Sequence, residues 1–339
     1  MNKIYFAMAS VCLLMLLVFS GSAAAQKSIE LSFNEFLPSS NKHAIANVAW
    51  AKEIEKRTGG KVKITVYPGA TLTAPEKVYG AVVAGICDMG HSILSYTRGR
   101  FPLMAAVDLP VGTPSGKVAT LMARDFYKKF MPKELADTKV LILHGTTSPL
   151  IHTSKKQVLT LEDLKGLKIR TTGLTANIIK ALGAIPVAMP YTETYEALQR
   201  GIVDGTYSSM ETLKTSRLAE VVKYTTDTSV VGLTATGFIA MNLTRWNSLP
   251  KDIQKTVEEV SREYETIHGR LWDETAEEGR SFTLSRGNSV VALSKQEGPR
   301  WKDRTKVVLS DFVKETEAKR LPGKEALAEV IRLVEKYSK

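Results

Sequence analysis

The segment from Thr160 to Asp204, TLEDLKGLKIRTTGLTANIIKALGAIPVAMPYTETYEALQRGIVD, constrains the fold more than any other part of this sequence. Its pattern predicts a short helix, a strand carrying Lys168, Ile169 and Arg170, and a second helix over Thr175 to Leu182. A strand from Ile185 to Met189 follows, then a third helix that Thr192 caps and that ends before Gly201. Ile178, Ile179 and Leu182 share one face of the second helix, and Thr160 with Asp163 three residues later forms a capping-box pair. Helices alternating with short strands are βαβ material, which places the chain in the α/β class. Side chains at the carboxyl ends of parallel strands face a crevice where small ligands collect. Arg170 stands where such a strand ends, followed by Thr171, Thr172 and Gly173, so a guanidinium and hydroxyl donors converge on one place. Arg170 is therefore expected to grip a carboxylate.

The first 25 residues differ from the rest. Lys3 supplies a positive start, Ile4 to Phe19 are apolar, and Ser22-Ala23-Ala24-Ala25 offers small residues for cleavage before Gln26. That is the pattern of a secretory signal peptide, and its apolar run falls short of the ~20 residues needed to span a bilayer as an anchor. Cys12 lies inside the apolar run, away from the processing site. After cleavage Cys87 is the lone cysteine, read as a small buried hydrophobe among Ala84, Ile86 and Met89. An exported chain of 339 residues without disulfides has room for two domains with proper cores and suits a bacterial periplasm. The formal net charge of +11, lowered by one with loss of Lys3, is spread among 35 acids without zinc-finger spacing or interleaved aromatic and basic residues. Nucleic acid is excluded as a partner on that pattern. A diffuse positive field favours small anions instead.

Upstream, Ser28 to Phe33 reads as a strand, Ala44 to Arg57 as a helix stopped by Gly59-Gly60, KVKITVY as a strand with one wet face, and residues 75–84 as a helix. The stretch HSILSYTRGRFPLMAAVDLP is less periodic and reads as a crevice loop carrying His91, Tyr96, Arg98 and Arg100; a packing role for His91 and a solvated role for the two arginines are the alternatives. A helix is expected over 115–130, a strand over Val140 to His144, and a crossing into the second domain at His144 to Pro149. Residues 211–220 read as helix and Tyr224 to Ala240 as extended pieces. The longest periodic segment, 250–278, carries Ile253, Val257, Val260, Tyr264, Ile267 and Leu271 on one face. As a helix it would run about 43 Å, a brace across both domains or one half of a coiled coil. A last strand at Val290 to Leu293 and two helices, the second at Lys324 to Tyr337, complete the chain.

No G-x-S-x-G, H-E-x-x-H, G-x-G-x-x-G or P-loop is present, and the five histidines, His43, His91, His144, His152 and His268, fall at no metal-ligand spacing. No catalysis, cofactor or metal is expected. Binding a carboxylate requires less: an arginine fork, a few short donors and an aromatic wall. The candidate set is Arg170 with Thr172, Ser208, Tyr207, His152, His91, Tyr96, Phe33 and Glu211, and with Phe36 beside Phe33. Phe33 has a core role as its alternative, and Arg170 has an ion pair with an acid such as Glu193.

Three runs, GGKVKITVYPGATL, TLEDLKGLKIR and ALGAIPVAMPYTETYEALQRGIVDG, closely resemble the periplasmic solute-binding subunits of tripartite ATP-independent periplasmic (TRAP) transporters, of the dicarboxylate-binding type. The likeness covers the mature chain from Ile29 to past Leu249. It implies a two-lobed flytrap with a mixed sheet in each lobe, a long helix spanning both, an organic acid held between them, and delivery by a monomer to the membrane subunits of a sodium-driven permease. Arg170 falls on the family's ligand-pairing arginine. The implied division is residues 1–25 as signal peptide, 26–148 with 238–278 as lobe I, 149–237 with 279–315 as lobe II, and 316–339 as a terminal helix packed on the lobes.

Two stretches depart from the family pattern. Where many relatives have Gln-Glu-Asn-Pro after the Asp-Gly turn, this chain has Thr206-Tyr207-Ser208-Ser209, and Leu150-Ile151-His152 stands where the sialic-acid type commonly has a second arginine. Ser208 donates one hydrogen bond where an amide makes two. The expected ligand therefore has one firmly held carboxylate and a less polar body: a hydroxy or keto acid with an aromatic or branched side chain. A receptor serving a membrane sensor would share the fold and Arg170, with a different partner encoded nearby. An extracytoplasmic enzyme would turn its acid over.

Overall fold

Among the described residues eleven short strands, most of four to seven residues, supply two sheets, and the chain passes between those sheets more than once. A computed structural model describes residues 28–339, so the expected signal peptide lies outside the described residues. In chain order the first elements are β1 (Ile29–Glu35), α1 (Lys42–Arg57), β2 (Val62–Tyr67), α2 (Val78–Val83), β3 (Met89–Ile93), α3 (Gly116–Phe130) and β4 (Thr138–Gly145). They are followed by β5 (Leu150–Thr153), β6 (Lys168–Thr171), α4 (Thr175–Leu182), β7 (Ile185–Ala188), α5 (Thr194–Gln199), β8 (Gly205–Ser208), α6 (Thr212–Thr215) and β9 (Tyr224–Asp227). The chain ends with β10 (Thr236–Asn242), α7 (Leu243–Ser248), α8 (Lys251–Ser285), β11 (Ser289–Ala292), α9 (Glu297–Ala318) and α10 (Gly323–Tyr337).

The first sheet has the order β2-β1-β3-β10-β4 and the second β11-β9-β5-β8-β6-β7. Each is mixed for the same reason. β10 runs antiparallel to β3 and β4, and β5 runs antiparallel to β8 and β9, and each of these strands has just crossed from the other sheet. The two crossings, residues 146–149 and 228–235, are laced to each other: Thr146 N donates to Ala235 O at 3.2 Å, Thr234 Oγ1 to Thr146 O at 2.8 Å, and Thr228 Oγ1 to Pro149 O at 3.1 Å. A pair of hydrogen-bonded crossing segments with few turns of their own is a hinge in form.

The third crossing is α8. Its 35 residues extend about 52 Å at 1.5 Å per residue, longer than the periodicity alone suggested, and it packs on α1, α3 and β4 of one lobe and on α6 and β11 of the other. The chain is thus a two-lobed flytrap with a bridging helix. α10 packs on α3 and α9, while α9 packs on α4.

Several local expectations change. The short helix expected after Thr160 is a single 3-10 turn at Glu162–Leu164, with the Asp163 carboxylate accepting from Thr160 N at 3.1 Å. Thr192 does not cap α5; it lies within a 3-10 turn, Tyr191–Glu193, that follows Pro190. Residues 211–220 break into α6 and a further 3-10 turn at Leu218–Glu220. The stretch beginning at His91 is not all loop, because Met89–Ile93 is the central strand β3, buried at every position. Gly90 is required there: a Cβ would lie 2.4 Å from Val78 Cγ1 of α2. Cys87 is buried.

Candidate functional site

The carboxyl end of β6 delivers Arg170 into a cavity between the lobes. β6 pairs in parallel with both β7 and β8, and the turn before β8 is pinned because Asp204 accepts from Lys168 N at 2.8 Å. The space between these walls, its open mouth included, amounts to about 680 Å³. Lobe I contributes Phe36, Ile93 and Tyr96, lobe II contributes Arg170, Tyr191, Tyr207 and Ser208, the crossings contribute Thr146 and Thr234, and α8 contributes Trp272.

Arg170 is 4% exposed. Its Nε and Nη2 both donate to Met189 O, at 3.1 and 2.9 Å, which fixes the plane of the guanidinium without neutralising it. Glu193 makes no ion pair with it among the described residues; the acid's effect on Arg170 is the weakest of several, and burial, which disfavours the charged form, is the largest. Tyr96 stands beside the guanidinium and partly offsets that burial. A buried cation whose protein acceptor is a neutral carbonyl calls for an anion.

Thr172, Tyr207, Ser208, Tyr96 and Glu211 line the same cavity, as does Phe36. The Tyr207 hydroxyl is buried without a hydrogen-bond partner, and burial pushes its pKa up. Ser208 Oγ lies 3.0 Å from Thr212 Oγ1. Glu211, 5% exposed, accepts from Ser209 Oγ at 2.7 Å through Oε1, while Oε2 has no partner. Burial lifts its carboxyl to about 7.

Three candidates fall outside the lining. Phe33 sits in the core of lobe I, its ring 5.7 Å from that of Trp50 in an edge-on contact. It shares a face of β1 with Leu31 and Glu35, the face α1 covers, whereas Phe36 lies past the strand's end and is free to turn into the cleft. His91 is fully buried behind Phe36, with ring centres 4.9 Å apart. His152 is fully buried in β5, where Nε2 meets Ser208 O at 3.0 Å and Nδ1 meets Thr225 Oγ1 at 2.9 Å, so it supports the backbone of a lining residue rather than the ligand.

The histidines that lie far apart in sequence are gathered by the fold. His43, His91, His144 and His268 form one buried cluster with Glu35 and Asn47, directly behind the Trp272 and Phe36 walls. The partners assign the protons. Trp272 Nε1 donates to His144 Nδ1 at 2.9 Å, so the His144 proton is on Nε2 and is given to His91 Nε2 at 2.9 Å, and His91 Nδ1 then donates to Glu35 Oε1 at 2.8 Å. On the other branch His268 Nε2 donates to Asn47 Oδ1 at 2.9 Å and accepts at Nδ1 from His43 Nδ1 at 3.0 Å. Burial and the neighbouring rings hold His43 and His144 well below the ordinary value and bring His268 to about 3. The cluster thus stays uncharged on these rings and orients Trp272. Among the described residues no group of three or more His, Cys, Asp or Glu side chains is placed to hold a metal ion.

His152 gives a separable measure of such burial. Its folded pKa is about 4, with burial as the cause, against roughly 6.5 in the unfolded chain. The unfolded state therefore binds the extra proton between those values, and stability falls as pH drops through that window, by about 3 kcal/mol in all. A His152→Gln protein is expected to lack that loss, so the gap in urea stability between it and the wild type narrows by about 2–3 kcal/mol from pH 7 to pH 4.5. A gap constant with pH contradicts a neutral buried His152.

Tyr191, Trp272, Thr146 and Thr234 line the cavity but were not among the candidates. Tyr191 stands just before Thr192, the residue expected to cap a helix, and Trp272 lies in the 250–278 segment outside its expected apolar face, so neither carries a local signal.

The family described as "Bacterial extracellular solute-binding protein, family 7" matches residues 33–316. A TRAP periplasmic solute-binding protein of Desulfovibrio salexigens, solved as an open complex, is 35% identical, with a TM-score of 0.81 over 91% of this chain and 97% of that one. A TRAP solute-binding protein of Rhodoferax ferrireducens with copurified benzoate is 27% identical, TM-score 0.86, covering 92% and 99% of the two chains. One of Bordetella bronchiseptica, with bound (R)-mandelate and (S)-mandelate, is 27% identical, TM-score 0.84, covering 91% and 99%.

Proposed function

This chain belongs to the bacterial extracellular solute-binding proteins of family 7 and is a periplasmic solute-binding protein of a TRAP transporter, and on that premise we propose that it captures a small organic acid through an ion pair with Arg170. It works in the periplasm, performs no catalysis and hands its solute to a membrane permease. The observation that carries the ion pair is the Arg170 guanidinium itself: buried, on the cavity wall, held by a neutral carbonyl, with no ion-pair partner among the described residues. The carboxylate of the ligand is the missing counter-ion, and a bidentate pair in a dry site is strong because the low local dielectric leaves it unscreened.

The body of the ligand faces Phe36, Tyr96, Tyr191 and Trp272. Such a wall favours an aromatic or branched hydroxy or keto acid. Benzoate and mandelate, the acids in two of the similar structures, carry one carboxylate on an aromatic body and support that class. Lobe closure over the acid removes water and completes the site. Release to the permease then requires the lobes to part.

Denaturing extraction of the purified protein followed by mass analysis tests the ligand class, with an aromatic or branched monocarboxylic acid as the expected product and a sugar acid or an amine as the contradiction. Sodium-driven delivery is tested in proteoliposomes holding the cognate membrane subunits. Uptake is expected to need both this protein and an inward sodium gradient, and uptake persisting after the gradient is collapsed contradicts it.

A further inference from the structure

Arg170 and Glu211 are the two charged side chains lining the cavity among the described residues, and neither is neutralised by the other. Glu211 is held at the start of α6 by a close backbone approach. A Cβ on Gly279 of α8 would fall 2.3 Å from Met210 O and 2.8 Å from Glu211 Cα, so a bare glycine lets the helix press on this turn and aim the side chain. One carboxylate oxygen is taken by Ser209, and the other, Oε2, is buried with no partner.

We infer that Glu211 is the specificity-determining residue of the site: its unpartnered oxygen hydrogen-bonds a hydroxyl or keto oxygen of the ligand and excludes acids with a second carboxylate. This rests on the reading that Arg170 holds the first carboxylate. The argument is one of charge. A monocarboxylate neutralises Arg170, leaving a neutral cavity when Glu211 carries a proton. A second carboxylate brought near Glu211 meets a like group with no further cation among the lining residues, and two such groups cannot both ionise in a dry site.

The groups facing Glu211 are consistent with a proton there. Tyr191, whose hydroxyl burial keeps neutral, is close enough to feel Glu211, Ser209 donates to Oε1, and Arg170, Tyr96 and Tyr207 line the same cavity with no hydrogen bond to Glu211 among the described residues. From α8 come Trp272 and Gly279, which carry no charge, while Glu278 beside them is paired with Lys42 and Lys214. Burial lifts the Glu211 carboxyl to about 7. The protonated form donates from Oε2 to a ligand oxygen, so affinity falls as pH rises above neutrality.

The test is calorimetric titration of the whole protein as wild type, Glu211→Gln and Arg170→Met, from pH 6 to pH 8.5. The probes are two matched pairs that differ by hydroxyl against carboxylate: 3-hydroxybenzoate with isophthalate, and 3-hydroxypropanoate with succinate. Wild type is expected to prefer the hydroxy acid of a pair at least tenfold, with affinity dropping up to tenfold per pH unit above 7. Glu211→Gln is expected to abolish that slope and to shrink the preference. A carbon-13 titration of labelled glutamate carboxyls, with Glu211 assigned by its loss in Glu211→Gln, is expected to give a midpoint above pH 6. A dicarboxylate bound as tightly as its hydroxy partner, an unchanged slope and preference in Glu211→Gln, or a Glu211 midpoint below pH 5 overturns the inference. Where no probe binds, the midpoint decides. Full affinity in Arg170→Met overturns the anchor instead, leaving the Glu211 result to be read separately.

Discussion

Replacing Arg170 with methionine is expected to weaken acid capture by about 3–5 kcal/mol, roughly two to three and a half decades in Kd, while the ligand-free protein stays folded. The loss is large because the ligand carboxylate would enter the same buried cavity with no counter-ion. The fold survives because Arg170 makes no ion pair among the described residues, and its two donated bonds go to a single carbonyl, Met189 O. Lysine at this position is expected to recover only part of the affinity, since an ammonium cannot present two parallel donors. Titration of both variants, with circular dichroism to confirm folding, checks this. A folded Arg170→Met protein with wild-type Kd contradicts it.

Gly173→Val is expected to lower affinity by about ten- to a hundredfold through lobe closure, not through contact with the ligand. Gly173 follows β6 of lobe II, Ser95 follows β3 of lobe I, and a Cβ on Gly173 would lie 2.4 Å from Ser95 Cβ. Its φ of +49° adds strain for a β-branched residue. The three atoms nearest that Cβ all belong to Ser95, so the steric part of the cost, unlike the φ strain, falls on the closed arrangement and the population shifts to open forms. The variant is expected to show a larger radius of gyration by X-ray scattering in saturating ligand, and Ser95→Gly in the same chain is expected to restore part of the affinity. Wild-type Kd and radius contradict a closure contact at this place.

The parts of the site that could be read from sequence are those whose chemistry is local. Arg170 announces itself because a strand end, two threonines and a helix start stand in immediate succession, and the same run carries the family likeness. The periodicity of α8 likewise shows most of its length and, through Ile253, Val257 and Val260, the buried face of its first part; beyond Val260 the buried side passes to Glu265, His268 and Trp272 while Tyr264, Ile267 and Leu271 are half-buried.

What could not be read depends on contacts between distant residues. β3 is short, buried on both faces and contains Gly90 and His91, so it has neither the alternation of a half-wet strand nor enough length to stand out. The histidine cluster joins residues separated by as many as 225 positions. Its members gave no spacing signal because they approach from α1, β3, β4 and α8. Phe33 and Phe36 look equivalent in sequence. They part because one lies within β1 under α1 and the other just beyond the strand's end. His152 has the chemistry of a ligand contact, but strand register turns it toward Thr225 and the Ser208 carbonyl.

The most direct measurement is thermal denaturation of wild type and Arg170→Met side by side against a panel of aromatic and aliphatic monocarboxylates, hydroxy and keto acids, dicarboxylates and sialic acid. At a ligand concentration a hundred times Kd, a ligand that binds only the folded form stabilises it by about 2.7 kcal/mol, which moves the melting temperature by several degrees. Capture by Arg170 predicts that one class of acid raises the wild-type melting temperature and leaves that of Arg170→Met where it was; an equal rise in both proteins would contradict it.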